Sequence, residues 1–370
     1  EEASRYWVNS SFGQGQTNFL SNSASDHQGG NVSAPVRMAR EMNRETEGDI
    51  FKRIYLSFHS NAGGGRGVVG LWNDPKLFPG TKTPNQERWA ELLGIEVNDT
   101  LSAMSSPPLE VPWFHRTRLI YARNDYAFGE LNDKVIGGEF DATILEVAFH
   151  DSKDDAKLLR DPRVRDILAR CSYQATVRYV NEFDGVPLEF ISQPPQNPRA
   201  FSSREGITVS WDRPADVKAN TPDAYLVYRS ENGYGFGYPV RVPATRASVL
   251  LENLPKNKTF YFRVTAVNAA GESLPSPVVG SRPTSRQNEQ KVLFVNGFTQ
   301  FDRFNNPRQT IAPTNYVPPS AFGNMDRVIP RLNNAFDYVV QHGTALNRKP
   351  FDSCQRDAIS SGFVNLSEYS

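Results

Sequence analysis

The chain has 370 residues, room for two or three domains at roughly 100–200 residues each. Lys plus Arg and Asp plus Glu number 41 each, so the formal charge is zero and no basic field points to nucleic acid or anionic lipid. With 38% hydrophobic and 22% charged residues, and no apolar run near the roughly 18–20 residues of a membrane span, the composition excludes both a disordered chain and a transmembrane helix.

The opening residues Glu1-Glu2-Ala3-Ser4-Arg5-Tyr6-Trp7 lack an initiator Met and the apolar core of a signal peptide, so the chain is expected to be part of a longer or processed protein. Residues up to about 30 are rich in Ser, Asn, Gln and Gly and read as loop. Pro35 then opens a short helix carrying Val36, Met38, Ala39 and Met42. The run Ile54-Tyr55-Leu56-Ser57-Phe58-His59 predicts a buried strand that ends in Asn61 and the glycines Gly63-Gly64-Gly65. A second strand is expected over 67–72, and a helix from Glu87 through Met104 that stops at Pro107-Pro108. An irregular stretch to about residue 140 precedes a strand over 142–149. A helix follows from Asp155, broken near Pro162 and finished by Gly185. Strands alternating with helices predict an α/β layer with a mostly parallel sheet over residues 1–186.

From Pro187 the texture changes. Pro194-Pro195-Gln196-Asn197-Pro198 reads as a linker, and short strands at 207–211, 224–229, 248–251 and 259–267 predict an all-β sandwich over 187–284. In the last of these strands, period two sends Phe260, Phe262, Val264 and Ala266 inward. A second linker, 281–287, leads to a strand at 291–297 and a helix expected from about Met325 to Leu346. Residues 290–370 therefore read as a partial α/β domain.

Two side chains stand out chemically. His59 ends a strand beside an open glycine loop, where a neutral imidazole suits zinc. Glu146 lies between Leu145 and Val147 in an apolar strand, where a carboxylate costs several kcal/mol unless it is paired, hydrogen-bonded or protonated. A parallel sheet delivers both to one carboxyl edge, and a metal with a neighbouring carboxylate is the apparatus of amide hydrolysis. No His-x-x-x-His cluster supplies further ligands. Around this pair, Asn61, His115, Arg123, Asn124 and Glu130 are candidate substrate contacts, and His150 is expected to support the site or to serve the fold. The only cysteines, Cys171 and Cys354, build neither a disulfide framework nor a thiolate zinc site.

Tyr55-Leu56-Ser57-Phe58-His59-Ser60-Asn61-Ala62 resembles the S-I-H-x-N-A strand of the zinc-dependent N-acetylmuramoyl-L-alanine amidases (the Amidase_3 group). Leu145-Glu146-Val147-Ala148-Phe149 with Asp154-Asp155-Ala156 resembles their E-V-G-F … D-A segment. The resemblance implies that His59 binds Zn2+ and that Glu146 is the catalytic carboxylate. It also implies peptidoglycan as the partner, and a secreted or cell-envelope location. The family's earlier His and Glu ligands have no counterpart here, and His27, in Asp26-His27-Gln28-Gly29-Gly30, is not assigned to zinc. The likeness is nearest to secreted proteins in which a golvesin-type domain interrupts the amidase, which residues 1–7 would resume. Val209-Ser210-Trp211, Tyr225-Leu226-Val227-Tyr228-Arg229 and the segment from Leu254 to Gly271-Glu272-Ser273 resemble a fibronectin type III domain, with Phe260 where that family has its corner Tyr. Residues 290–370 resemble the start of a flavodoxin-like or glutamine-amidotransferase-like domain. The expected activity is zinc-dependent hydrolysis of the N-acetylmuramoyl-L-alanine amide; the alternative is a non-catalytic, glycan-binding or adhesive envelope protein on the same scaffold.

Overall fold

The computed structural model describes residues 4, 8, 27–42, 52–104, 106, 108–214, 221–284, 289–297, 308–311, 323–326, 338–346 and 348–369. The chain divides into two compact units, Glu1–Leu188 with Phe301–Val328, and Glu189–Gln300 with Ile329–Ser370. No helix among the described residues is long and apolar enough to cross a membrane.

The first unit begins with helix α1 (His27–Met42), which carries Pro35 inside it rather than at its start. Proline has no N–H for the carbonyl four residues back. That carbonyl, of Asn31, instead accepts the Ser4 hydroxyl at 2.8 Å, which lets the helix extend through the proline. Strands β1 (Ile54–Asn61) and β2 (Val69–Leu71) follow, then helix α2 (Gln86–Ser102), strand β3 (Ile120–Tyr121), a 3-10 turn at Gly129–Leu131 and the short helix α3 (Asp133–Ile136). Strand β4 (Asp141–Phe149) and helices α4 (Lys153–Leu159) and α5 (Pro162–Asp184) complete the series. Asp161 caps α5, its side chain accepting from the Arg163 amide; Pro162 sits in the first turn and left-handed Gly185 ends the helix, as the sequence signals require.

The sheet order is β1-β4-β2-β3. Two of its three strand pairs, β1/β4 and β2/β3, are parallel, while β2 runs antiparallel to β4, so the sheet is mixed. Alternate residues of β1 and β4 face opposite layers. Ile54, Leu56 and Leu145 join Trp89, Leu93 and Val97 of α2 and Leu168, Cys171, Ala175 and Tyr179 of α5. Tyr55, Ala142 and Ile144 join Val36 of α1, Leu131 and Ile136. Strand β1 was expected to be buried. It is half-buried, with Phe58 55% exposed, because β1 is the edge of this sheet among the described residues.

The second unit is a β-sandwich with additions. Its strands are β5 (Gln196–Ser202), β6 (Gly206–Asp212), β7 (Ala224–Ser230), β8 (Gly237–Pro243), β9 (Ser248–Glu252), β10 (Phe260–Asn268), β11 (Gly271–Glu272) and β12 (Val279–Ser281). Phe260, Phe262, Val264 and Ala266 point into the core beside Trp211 and Tyr225, as period two predicts. The stretch expected as a linker at 194–198 instead opens β5, with a register shift between Gln196 and Arg199 where Pro198 has no N–H to give the ladder.

Strand β13 (Val292–Asn296) occupies the segment read as a strand and is mostly half-buried. A two-stranded antiparallel ribbon joins β14 (Arg308–Ile311) to β15 (Gly323–Asp326), placing Met325 opposite Gln309. Helix α6 (Tyr338–Ala345) is thus shorter than the helix expected from Met325, and the intervening 327–337 lie outside the described residues. Strand β16 (Phe351–Gln355), helix α7 (Arg356–Ser360) and a 3-10 turn at Leu366–Glu368 follow. Strand β16 pairs parallel to β13 and antiparallel to β5, so both extend the sandwich sheet in the order β13-β16-β5-β6-β9. Buried Asp352 accepts the Lys291 ammonium at 2.7 Å, the Ser202 amide at 2.8 Å, the Ser281 hydroxyl at 2.9 Å and the Tyr369 hydroxyl at 3.0 Å.

Candidate functional site

Strands β1 and β4 end at the same edge, and their register sets His59 beside Glu146. Both belong to the face that carries Tyr55, Ser57, Ala142 and Ile144, the face toward α1 and the 129–131 turn. Beyond this pair the register slips, with Asn61 opposite Phe149, a bulge at the strand ends of the sort that re-aims side chains.

The turn at Gly129–Leu131 brings Glu130 onto the same face. Its Oε2 lies 2.9 Å from His59 Nε2, while its Oε1 accepts the Ser57 hydroxyl at 2.8 Å and the Tyr55 hydroxyl at 3.3 Å. His59 Nε2 is also 3.1 Å from Ser57 Oγ. Glu130 was a candidate substrate contact on sequence; its place in the fold is as the partner of His59. The bond from Glu130 raises the His59 pKa, against an opposing effect of partial burial. Burial works against ionised Glu130, yet the bonds from His59 and Ser57 outweigh it and hold the carboxyl below its usual range.

Glu146 is 9% exposed, and its Oε2 is buried with no hydrogen-bond partner among the described residues. Burial raises its pKa, and the neighbouring charges of His59 and His150 only partly offset this. Two carboxyls a few side chains apart are thus pushed in opposite directions, Glu130 toward the anion and Glu146 toward the acid, the pattern that separates a fixed anion from a proton carrier.

The glycine loop is tied down by the segment after β4. Asp151 accepts the amides of Gly63 at 2.8 Å and Gly64 at 3.0 Å. Buried Asp155 accepts the Arg66 guanidinium at 2.9 Å, the Gly67 amide at 2.7 Å and the Phe149 amide at 3.1 Å. Gly65 is required by packing, since a Cβ there would run into the Phe149 ring. Gly67 is required by its left-handed φ of +77°.

Asn61, His115, Arg123 and Asn124 make no bond to this cluster among the described residues, whereas the charge of His150 reaches Glu146. Asn61 ends β1, its side chain accepting from the Ala62 amide at 2.8 Å and its carbonyl from the His150 amide at 2.9 Å. His150 Nδ1 lies 3.0 Å from the Ser60 hydroxyl. Arg123 pairs with Asp125 at 2.6 Å and lies over the Tyr126 ring at 4.2 Å. Asn124 and His115 are exposed loop residues. Sequence reasoning missed Tyr55 and Ser57 as supports of the site, although the alternation Tyr55, Ser57, His59 placed three polar tips on one strand face.

The donor chemistry of His59 and Glu130, one imidazole nitrogen and one carboxylate, suits zinc. A catalytic zinc takes three protein ligands, and the described residues contain no group of three or more His, Cys, Asp or Glu placed to hold a metal.

Residues 193–282 match the family described as fibronectin type III domain. The titin homologue of Caenorhabditis elegans is 31% identical over 93 residues, 25% of this chain and 0% of that protein's length, so the chain spans a negligible part of it. Among solved structures, domains A168–A170 of titin are 26% identical, with a TM-score of 0.21, over 24% of this chain and 30% of theirs. The 6th fibronectin type III domain of human fibronectin type III domain containing protein 3 is 20% identical, with a TM-score of 0.24, over 28% of this chain and 95% of its own. Residues 193–282 of the second unit are thus a fibronectin type III domain.

Proposed function

We propose that the first unit is the working part of a zinc-dependent amidase, similar to the N-acetylmuramoyl-L-alanine amidases, that hydrolyses the amide joining N-acetylmuramic acid to L-alanine in peptidoglycan. The observation that carries this reading is the register pairing of His59 with Glu146, whose buried Oε2 has no hydrogen-bond partner among the described residues. A zinc bound at His59 would supply Lewis acidity toward the amide carbonyl and the attacking water.

Glu146 takes the proton from that water and hands it to the departing amine. A carboxyl whose pKa burial has raised toward the working pH serves both halves of this transfer better than an ordinary surface Glu. His59 is held in one orientation by Glu130 and Ser57, and the Asp151 and Asp155 bonds keep the glycine loop open beside it. A substrate in the cell wall places the protein outside the cytoplasm. On this reading, the fibronectin type III domain serves as a spacer that presents the first unit to its polymer.

The test is the appearance of free L-alanine amines, labelled with fluorodinitrobenzene, when peptidoglycan is incubated with the full chain and zinc. Release by the wild type and none by Glu146→Gln supports the reading; equal release by both overturns it.

A second reading is favoured by the fibronectin type III domain, a module that usually serves binding or spacing. In that case the whole chain is a non-catalytic envelope-binding protein. It would sediment with insoluble peptidoglycan in chelator and release no amines.

A further inference from the structure

We propose that the hairpin joining β7 to β8 in the second unit is a glycan-binding platform, with the rings of Tyr234 and Tyr238 as the surfaces on which sugar rings stack. The inference needs no metal. It rests on the amidase reading only for the identity of the polymer, the glycan strand of peptidoglycan.

The backbone supplies the first observation. Tyr238 has a φ of +47° and precedes Pro239. A left-handed φ is unfavourable for a bulky side chain, and the residue before a proline is pushed toward extended backbone, so two local preferences are overridden at one position. The cause is a bulge: Arg229 pairs with Gly237 and Val227 with Val240, which sets Tyr238 and Pro239 against Tyr228 alone. Glycine would fill such a position without strain. The tyrosine gains no packing in return, because it is 91% exposed. Strain held at a side chain that the fold does not use points to a contact outside the chain.

The hairpin is also fixed in shape. Ser230 Oγ accepts the Gly233 amide at 2.8 Å, and Asn232 Oδ1 accepts the amides of Tyr234 and Gly235, each at 2.9 Å. Gly233 lies against Val340 of α6, where a Cβ would run into the valine, and the Phe236 ring covers the Arg263 guanidinium at 4.5 Å. With Gly233 and Phe236 holding it down, the hairpin presents Tyr234, 65% exposed, and Tyr238 to solvent. Aromatic anchors set in place before the partner arrives lose little entropy on binding.

The surroundings select the partner. Strand β8 is an edge strand among the described residues, but Pro239 and Pro243 have no N–H to donate, so an added strand is not the occupant. Glu231 is the only charged residue from 230 to 240, and its carboxylate meets the Lys258 ammonium at 2.6 Å, so the hairpin calls for no ionic ligand. Gly235 and Gly237 alternate with the aromatic residues, which breaks up any continuous apolar face for a protein partner. A pyranose offers an apolar C–H face to an aromatic ring and a rim of hydroxyls to polar groups such as the exposed Asn232 side chain.

The experiment is calorimetric titration of the full chain, in chelator, with the β-1,4-linked hexamer of N-acetylglucosamine. Wild type is expected to bind it, and Tyr238→Phe to bind within about threefold of wild type, since the ring face is kept. Tyr234→Ala and Tyr238→Asn are expected to bind at least about tenfold more weakly. Thermal melts give a second readout. Asn tolerates a left-handed φ, so Tyr238→Asn should melt at or above the wild-type temperature, whereas a ring kept for the fold would make it melt lower. No binding by the wild type, wild-type affinity in Tyr238→Asn, or a lower melting temperature of that variant overturns the proposal. A wild-type dimer in sedimentation that Tyr238→Asn dissociates would also overturn it, in favour of a second copy of this chain as the occupant. Zinc is absent throughout, so failure of the platform leaves amine release by the first unit intact, and failure of amine release leaves hexamer binding intact.

Discussion

His59 and Glu146 are register partners on the parallel strands β1 and β4, so backbone hydrogen bonding, rather than any loop, fixes the distance between the imidazole and the carboxyl. Sites built on strand ends hold their geometry better than sites on loops, because each side chain inherits the stiffness of the sheet. The third member of the cluster, Glu130, arrives from a turn and is locked by the hydroxyls of Tyr55 and Ser57.

The imidazole and Glu130 should make the metal-free protein pH-dependent. The bond from Glu130 raises the His59 pKa, so its stabilising contribution is complete below the unfolded value of about 6.5 and disappears as pH rises through the folded value. Glu130, held low in spite of its burial, contributes above its unfolded value of about 4.3 and loses that contribution as pH falls through its lowered value. In chelator, the melting temperature of the wild type should therefore decline above neutrality relative to that of Glu130→Gln. An NMR titration placing His59 at or below about 6.5 would contradict this.

Asp155 should act as a structural pin for the glycine loop. Asp155→Ala leaves the buried Gly67 and Phe149 amides without their acceptor, at about 1–3 kcal/mol for the unsatisfied groups, while the Arg66 guanidinium keeps Asp154 and the Pro112 carbonyl. Urea unfolding of the first unit measures the loss, and faster amide exchange at residues 63–67 is expected with it.

In the second unit, Asp352 joins the C-terminal strands to the sandwich. Asp352→Ala takes the carboxylate from the largely buried Lys291 ammonium, which keeps the Ser202 carbonyl at 3.1 Å, and removal of one partner from a buried ion pair costs up to about 3–5 kcal/mol. A lowered unfolding midpoint is expected for the sandwich and for β13 and β16 together, followed by the tryptophan fluorescence of Trp211. Independent melting of the C-terminal strands would contradict the shared sheet.

Neither cysteine should react in the folded protein. Cys171 and Cys354 are fully buried, and burial pushes the Cys354 thiol up to about 11, so its thiolate is scarce at pH 8. Ellman's reagent should titrate both thiols in denaturant and neither without it.

Much of this arrangement was legible in the amino-acid order. The strands of His59 and Glu146 announced themselves as short apolar runs, and the inward set Phe260, Phe262, Val264 and Ala266 followed from period two. The first half of helix α1, before Pro35, was not legible, because a Pro inside a pattern marks a helix start by default, and the Ser4 hydroxyl that serves the orphaned Asn31 carbonyl comes from 27 residues away. The role of Glu130 was hidden for the same reason. Its partners lie 71 to 75 positions earlier in the chain, and only the fold brings a turn residue onto a strand face. The C-terminal strands read as a separate domain because a sequence shows a strand's apolar run but not which sheet edge it joins.

The most direct measurement is mass spectrometry of purified peptidoglycan after incubation with zinc and either the wild-type chain or Glu146→Gln. The amidase reading predicts intact stem peptides beginning with a free L-alanine amine from the wild type, and none from the variant. Their absence from the wild-type digest, or equal yields from both proteins, would contradict it.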